Sequence, residues 1–406
     1  MVLNGIFGAL AALSLVLVLW QWLAAHRFPL HQRRGQSTPA SRTQAAAPAA
    51  APRPGVTLLK PLKGADAHTE KCLRSWLQQD YEGPVQALFG VADASDPACA
   101  IVQRLVAEHP HASAQLVVCG ALAGANAKVS KLIHLEQRAQ HELICVSDAD
   151  VCVPPDFLTD AVAAFDSASA PDKPMALLNC FYRLANPATL AMHCEAVAIN
   201  ADFWSQVLQS VSLKPMDFAL GAVMLTRRSE VADMGGFAAI KDCLADDYQL
   251  GHRIAQRGGR IALSPVVVEC WDAPAGWAAV WKHQLRWART IRVCQPVPYF
   301  FSLLSNPTLW PALWAAVSGT RTALGFLGAA LLVRLVVAAD LQQRLAGDRP
   351  DSDIAAERPP IVRYCWLAPV KDVLQVGVWL LAFLGNTIEW RGRRMKLRRD
   401  GTLIPA

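Results

Sequence analysis

The sequence predicts an α/β domain built on a largely parallel sheet and carried on apolar, membrane-spanning segments. Three observations predict it. Of 406 residues, 53% are hydrophobic, which is high for a soluble enzyme. Long apolar runs lie near both ends, and between residues 56 and about 270 short apolar stretches alternate with amphipathic ones.

Residues 3–25 carry no charge over a length that matches a bilayer crossing, with Trp20 and Trp22 at one end as interface anchors. Arg27, Arg33 and Arg34 follow, so the positive-inside rule puts the next segment in the cytosol and makes 3–25 a signal-anchor. A cleaved signal peptide would need a charged n-region and a small-x-small cleavage site. Residues 26–55, with their Pro/Ala/Ser run, form a linker.

Five strands are expected: VTLLK (56–60), QALFGVA (86–92), AQLVVC (114–119), ELICVS (142–147) and MALLNCF (175–181). Ligands of such sheets sit beyond the carboxyl ends of the strands, where Asp93 and Asp148 fall. A basic, Trp-containing helix at 276–293 suits the membrane interface. Apolar runs return at 302–319, 322–339 and 366–385, before a basic tail at 391–406 that belongs in the cytosol. With both flanks cytosolic the crossings after 300 must be even in number. The Pro-containing run 302–319 is therefore read as re-entrant or interfacial in preference to a further span, and the loop 340–363 is expected on the opposite face. Arg334, inside the second run, needs a partner.

The net charge of +6 is scattered, which fits a membrane surface and not a polynucleotide; no nucleic-acid module is present. The 11 cysteines include no C-x-x-C pair, which argues against zinc and for small buried thiols in a reducing compartment.

Three motifs carry chemistry. Ser147-Asp148-Ala149-Asp150 follows an apolar strand, and two carboxylates spaced D-x-D at a strand exit can both reach Mg²⁺ or Mn²⁺; the plain alternative is a solvated turn. Asp246-Asp247 opens a helix, as a general base for an attacking hydroxyl or as ordinary helix-end charges. His283, Arg286 and Thr290 recur on one helix face beside Trp287. That face suits a pyrophosphate and a stacked ring, or anionic lipid.

In order, LKPLKG (59–64), VADASDPA (91–98), SDAD (147–150), ALGAVMLTRRSEVADMGGF (219–237), ADDY (245–248) and HQLRW (283–287) resemble the ceramide glucosyltransferases and their bacterial relatives. The resemblance spans roughly 56–300. It implies a GT-A type, Rossmann-like nucleotide-sugar-binding domain with a mixed sheet, and an integral protein of the bacterial inner membrane whose catalytic domain is cytoplasmic. It implies inverting transfer of glucose from UDP-glucose to the primary hydroxyl of ceramide. Carried over, Asp93 meets the uracil/ribose end of the donor, and Asp148 and Asp150 hold the metal. Asp247, with Asp246 beside it, is the base, while Arg286 and Trp287 close the donor site. Lys60 and Lys128, the latter in Gly124-Ala125-Asn126-Ala127-Lys128, become substrate-binding candidates. His283 stands where the family has Gln or Arg. The related hopanoid glycosyltransferases also look like H-x-L-R-W-A-R-T-I-R here, which makes transfer of N-acetylglucosamine from its UDP form to a bacteriohopanepolyol the alternative. A processive polysaccharide synthase normally needs more crossings, and an inactive scaffold would not keep this set of acidic residues.

Overall fold

The computed structural model describes residues 2–32, 53–167, 174–347, 361–390 and 393–405. In chain order the first half comprises α1 (Val2–Arg27), β1 (Val56–Pro61), α2 (Thr69–Leu77), β2 (Val85–Val91), α3 (Ala98–Glu108), β3 (Ser113–Val118), α4 (Ala127–Glu136), β4 (Leu143–Ser147), β5 (Val151–Cys152), α5 (Phe157–Ser167), β6 (Met175–Leu184) and α6 (Leu190–Val197). A π-helical stretch at Ala198–Phe203 leads into α7 (Trp204–Leu213), β7 (Val223–Arg227), α8 (Arg228–Asp233), α9 (Asp246–Gln256), β8 (Arg260–Cys270) and α10 (Trp277–Cys294). The remainder is α11 (Pro296–Phe301), α12 (Leu309–Ser318), α13 (Arg321–Ala346), α14 (Leu367–Phe383), β9 (Thr387–Trp390), β10 (Arg393–Leu397) and β11 (Leu403–Pro405). Two compact units result, residues 31–185 with 215–273, and residues 1–30 with 186–214 and 274–406. Residues 186–214 and 274–300, part of the expected 56–300 span, thus group with the terminal helices.

The first unit holds one eight-stranded sheet in the order β3-β2-β1-β4-β7-β6-β8-β5. Strands β1 to β4 pair in parallel; β7 runs antiparallel to both β4 and β6, so the sheet is mixed, as expected. Residues 56–61 of β1 and 143–147 of β4 are buried throughout, as strands covered on both faces must be. Their side chains join Trp76, Phe89, Phe157 and Phe165 in one core. The chain steps outward from β1 through β2 to β3, then returns to β1's other side as β4. The switch point where ligands collect therefore lies beyond the carboxyl ends of β1 and β4. Strand β8 carries Pro265 where the pairing skips from Ser264 to Val267, a bulge that removes the need for a proline N–H.

In the second unit, α1 and α13, each 26 residues, are the two helices among those described that are long and apolar enough to cross a bilayer. Asp340 Oδ2 accepts from Trp22 Nε1 at 2.8 Å and meets His26 Nε2 at 2.7 Å, which joins the C-terminal ends of the two helices. At the other end Trp314 Nε1 donates to Asn4 Oδ1 at 2.7 Å. Gly319, left-handed at φ 60°, and the N-cap Thr320 fold α12 and α13 into a hairpin. A bilayer crossed by α1 and α13 therefore has residues 26 and 340 on one face. The sequence expectation instead put the segment from 340 on the opposite face; residues 348–360 of that loop lie outside the described residues. Helix α14, of 17 residues, packs along α10 and α6. The linker expected at 26–55 falls largely on undescribed residues, while the basic tail contributes β10 and β11 to a small antiparallel sheet with β9.

Arg334 of α13 has the partners it needs. Its guanidinium takes Asp202 at 2.8 and 2.9 Å and Asp372 at 2.9 and 2.8 Å, and Lys371 Nζ meets Asp202 at 2.6 Å.

Candidate active site

Strand β4 delivers Asp148 and Asp150 at its exit, and the turn they occupy is fastened from several sides. The Asp150 carbonyl accepts from Trp271 N at 3.0 Å and from the Cys72 thiol at 3.3 Å. From neighbouring β1, fully buried Lys60 donates to Ser147 Oγ at 3.1 Å and to the Asp148 carbonyl. Burial pulls the Lys60 ammonium down to about 8, against the upward pull of the Asp150 and Asp148 carboxylates. Its donors are thus directed at the backbone of the D-x-D turn. Burial, then Asp148 and Asp272, push Asp150 up to about 7. Asp272, at the end of β8, went unnoticed in the sequence because a lone WDAP carries no periodic or spacing signal.

Lys128 joins the two acidic motifs. Its Nζ lies 2.7 Å from Asp148 Oδ1 and 2.9 Å from Asp246 Oδ2, the second an ion contact without hydrogen-bond geometry. Burial alone would lower this ammonium, but Asp148, Asp246 and Asp247 outweigh it and hold the pKa above the ordinary lysine value. Asn126 sets the position: it caps α4 by accepting from Lys128 N and Val129 N, and donates to the Cys243 carbonyl at 2.7 Å. Ala125 N bonds Asp242 Oδ1 at 2.8 Å, and Asn126 N bonds the Lys241 carbonyl at 2.8 Å. The loop before α4 is therefore tied to the loop before α9. Asn two residues ahead of a helical lysine was the available signal.

Helix α9 begins with buried Asp246, then Asp247, whose Oδ1 accepts from Tyr248 N at 2.7 Å. Two glycines let it approach the segment ahead of β7: a Cβ on Gly221 would lie 2.7 Å from Asp247 Oδ2, and one on Gly251 would lie 2.3 Å from Ala219 N. Burial and then Asp246 push Asp247 up to about 6, opposed by Lys128. Tyr182 of β6 is driven well above the ordinary phenol value by burial and Cys270, with Asp247, Asp148 and Asp150 adding to it.

Asp93 stands exposed beyond β2, its Oδ1 bonded by Ser95 N and Oγ at 2.7 Å each, which holds its pKa below the usual carboxylate range. Asp96, not singled out from the sequence, accepts Gly64 N at 3.0 Å and Ala98 N at 2.9 Å. It ties the LKPLKG loop to the VADASDPA turn.

His283, Arg286 and Trp287 lie on α10, in the second unit. His283 Nδ1 meets buried Glu195 at 2.8 Å, and the same oxygen accepts from Gln284 Nε2 at 2.9 Å. The His283 and Trp287 rings stand edge to face, 4.6 Å apart, and Thr290 Oγ1 donates to the Arg286 carbonyl.

Comparison with known proteins bears on this arrangement. Ceramide glucosyltransferase 1 of Caenorhabditis elegans is 23% identical over 52% of this chain and 44% of its own length. This chain therefore spans under half of that relative. Ceramide glucosyltransferase 3 of the same organism is 21% identical over 87% of this chain and 74% of that one. The mannosyltransferase of Pyrobaculum calidifontis, solved with GDP-Man and Mn²⁺, is 20% identical, with 92% of this chain and 99% of that chain covered at a TM-score of 0.48. The match to the family described as Glycosyl transferase family 21 runs over residues 8–403, nearly the whole chain, and this protein belongs to that family.

Proposed function

We propose that the chain is an inverting, metal-dependent glycosyltransferase that moves glucose from UDP-glucose to the primary hydroxyl of ceramide at the cytoplasmic face of a bacterial inner membrane. The observation that carries this reading is the pair of acidic motifs, Asp148/Asp150 and Asp246/Asp247, held at a set separation by Lys128. Single inversion needs a base on one face of the sugar and charge stabilisation on the other, so two separated acidic motifs match it.

Asp247, at about 6, is ionised at neutral pH and basic enough to take the proton of an acceptor hydroxyl. The hydroxyl oxygen then bonds to C1 of the sugar as the bond to UDP breaks. Asp148 and Asp150 suit a hard cation: burial and mutual repulsion hold Asp150 up at about 7, an excess of negative charge that a cation relieves. Two carboxylates are enough for Mg²⁺ or Mn²⁺, which would complete its shell with water and donor phosphate. Bound there, the ion would neutralise charge growing on the departing diphosphate. Lys60 braces the turn from below, while Lys128 adds a positive charge to the phosphate side. Asp93, Arg286 and Trp287 keep the donor roles the motifs suggest.

His283, in place of Gln or Arg, supports the second reading, transfer of N-acetylglucosamine from its UDP form to a bacteriohopanepolyol. The test is to incubate the purified full chain with each radiolabelled UDP-sugar against ceramide and against the hopanoid. Labelled glucosylceramide is expected; a labelled hopanoid alone selects the second reading, and no labelled lipid from any pairing defeats both.

A further inference from the structure

The small sheet near the C-terminus has two unlike faces. Met395 and Leu397 of β10 turn inward with Ile388 of β9 and Leu403 of β11, and all are buried. By the alternation of a strand, Arg394, Lys396 and, just past it, Arg398 turn outward, each exposed and about 7 Å from the next. Glu389 is the carboxylate across the ladder from Arg394, and Lys282 of α10 already takes it at 2.9 Å. Lys396 faces Thr387 and Ile404, and Asp400 Oδ1 accepts from Thr402 N and Oγ1 at 3.0 and 2.7 Å. The outward row thus carries more positive charge than its own fold answers.

This sheet is fastened beside an apolar patch. Arg289 of α10 donates to the Thr387 carbonyl and Arg292 to Asn386 Oδ1, and the Arg292 guanidinium lies 5.6 Å from the centre of the Phe383 ring. Phe383 ends α14 and packs against Tyr299 and Phe300 of α11, with ring centres 5.6 and 6.4 Å away. Phe300, Phe301 and Leu384 are 54, 55 and 78% exposed. Helix α11 runs into the turn Ser302–Ser305, which packs on α1, one of the two bilayer-length helices. A row of cations alone is an ordinary solvated face. One continuous with exposed aromatic rings, beside a span, matches the boundary between acyl chains and anionic headgroups. A polynucleotide would answer the cations and leave the rings in water.

We propose that β10 and the α11–α14 patch form a binding site for anionic phospholipid, its phosphate on Arg394, Lys396 and Arg398 and its acyl chains along Phe300, Phe301 and Leu384. The arginines offer fork-shaped donors to phosphate oxygens and the lysine a point charge. The site stands whichever sugar and acceptor the chain uses.

The test uses the full chain in nanodiscs of phosphatidylcholine with a minor share of phosphatidylglycerol, either lipid carrying a diazirine and an alkyne near the top of its acyl chain. Tagged phosphatidylglycerol is expected to label peptides containing 296–301 and 380–398 in preference to tagged phosphatidylcholine, and to be displaced by its unlabelled form. Lys396→Gln should lower that preference about fivefold, the weight of one cation at an anionic surface. Arg394→Glu, Lys396→Glu and Arg398→Glu together should remove it, while tagged phosphatidylcholine still labels the patch. All three side chains are exposed, so melting in pure phosphatidylcholine should be unchanged. Equal labelling by the two lipids, a preference that survives the triple variant, or phosphatidylglycerol label confined to α1 and α13 overturns the proposal. Capture of a short oligonucleotide in neutral nanodiscs, with no phosphatidylglycerol preference, would make the row a polynucleotide surface and overturn it too.

Discussion

The Lys128 ammonium lies 2.7 Å from the Asp148 carboxylate, and its other side reaches Asp246. One cation thus stands between two acidic motifs nearly a hundred residues apart. Lys128→Met keeps the length and removes the charge, leaving Asp148, Asp246 and Asp247 to repel one another. Stability should fall by on the order of 2–3 kcal/mol, below the range for fully buried pairs because the Asp148 side chain is 39% exposed. Turnover should drop by about 10², the scale of a lost preorganised charge. Thermal melting beside steady-state kinetics checks both; an unchanged melting temperature would mean that the bridge contributes nothing.

Asp247→Asn keeps shape and hydrogen bonding but removes the base, so turnover should fall by about 10² to 10⁴ with UDP-sugar affinity little altered. In the parent the rate should decline as pH falls through about 6, since only the ionised carboxylate accepts a proton. Stability moves the other way. A carboxyl raised in the fold above its unfolded value costs stability once ionised, so at pH 8 the Asn variant should melt higher than the parent, and at pH 4 the two should converge. An inactive variant that also loses donor binding would assign Asp247 to the donor site.

Chelation should abolish transfer and Mn²⁺ or Mg²⁺ should restore it. Asp150→Asn should raise the metal concentration required for half-maximal rate. Full activity in chelator, with metal shown to be absent by elemental analysis, would refute metal dependence.

The α12–α13 hairpin makes a labelling prediction. Thr320 and Gln343 lie near opposite ends of α13, with Gln343 close to the Asp340–His26 contact. In intact cells an impermeant thiol reagent should modify Thr320→Cys and spare Gln343→Cys. The opposite pattern would put residue 26, and the sheet unit that follows it, outside.

Much of the sheet was legible because β1, β2, β4 and β6 are covered on both faces and read as apolar runs. Strand β8 was hidden by Pro265, which ordinarily ends a strand and here sits in a bulge, and β7 by lying inside a motif read for its chemistry. At the site, charged residues at strand ends and helix starts stood out by position. Asp96, Asp272 and the Asn126 clamp did not, because each acts through a contact with a distant segment. The Trp22–Asp340 contact that joins α1 to α13 was not legible at all, because hydropathy counts apolar residues and cannot register it.

Arg334 has a consequence for how the chain is made. A lone arginine near the centre of a span adds about 2.5–3.5 kcal/mol to insertion. Of the two aspartates that relieve it, Asp202 is translated 132 residues earlier and Asp372 38 residues later. As α13 leaves the ribosome, half of its charge compensation has already been synthesised, and half is still unmade. A chain truncated between α13 and α14 should therefore hold this helix in lipid less firmly than the full chain, which alkaline extraction of the two from membranes would show.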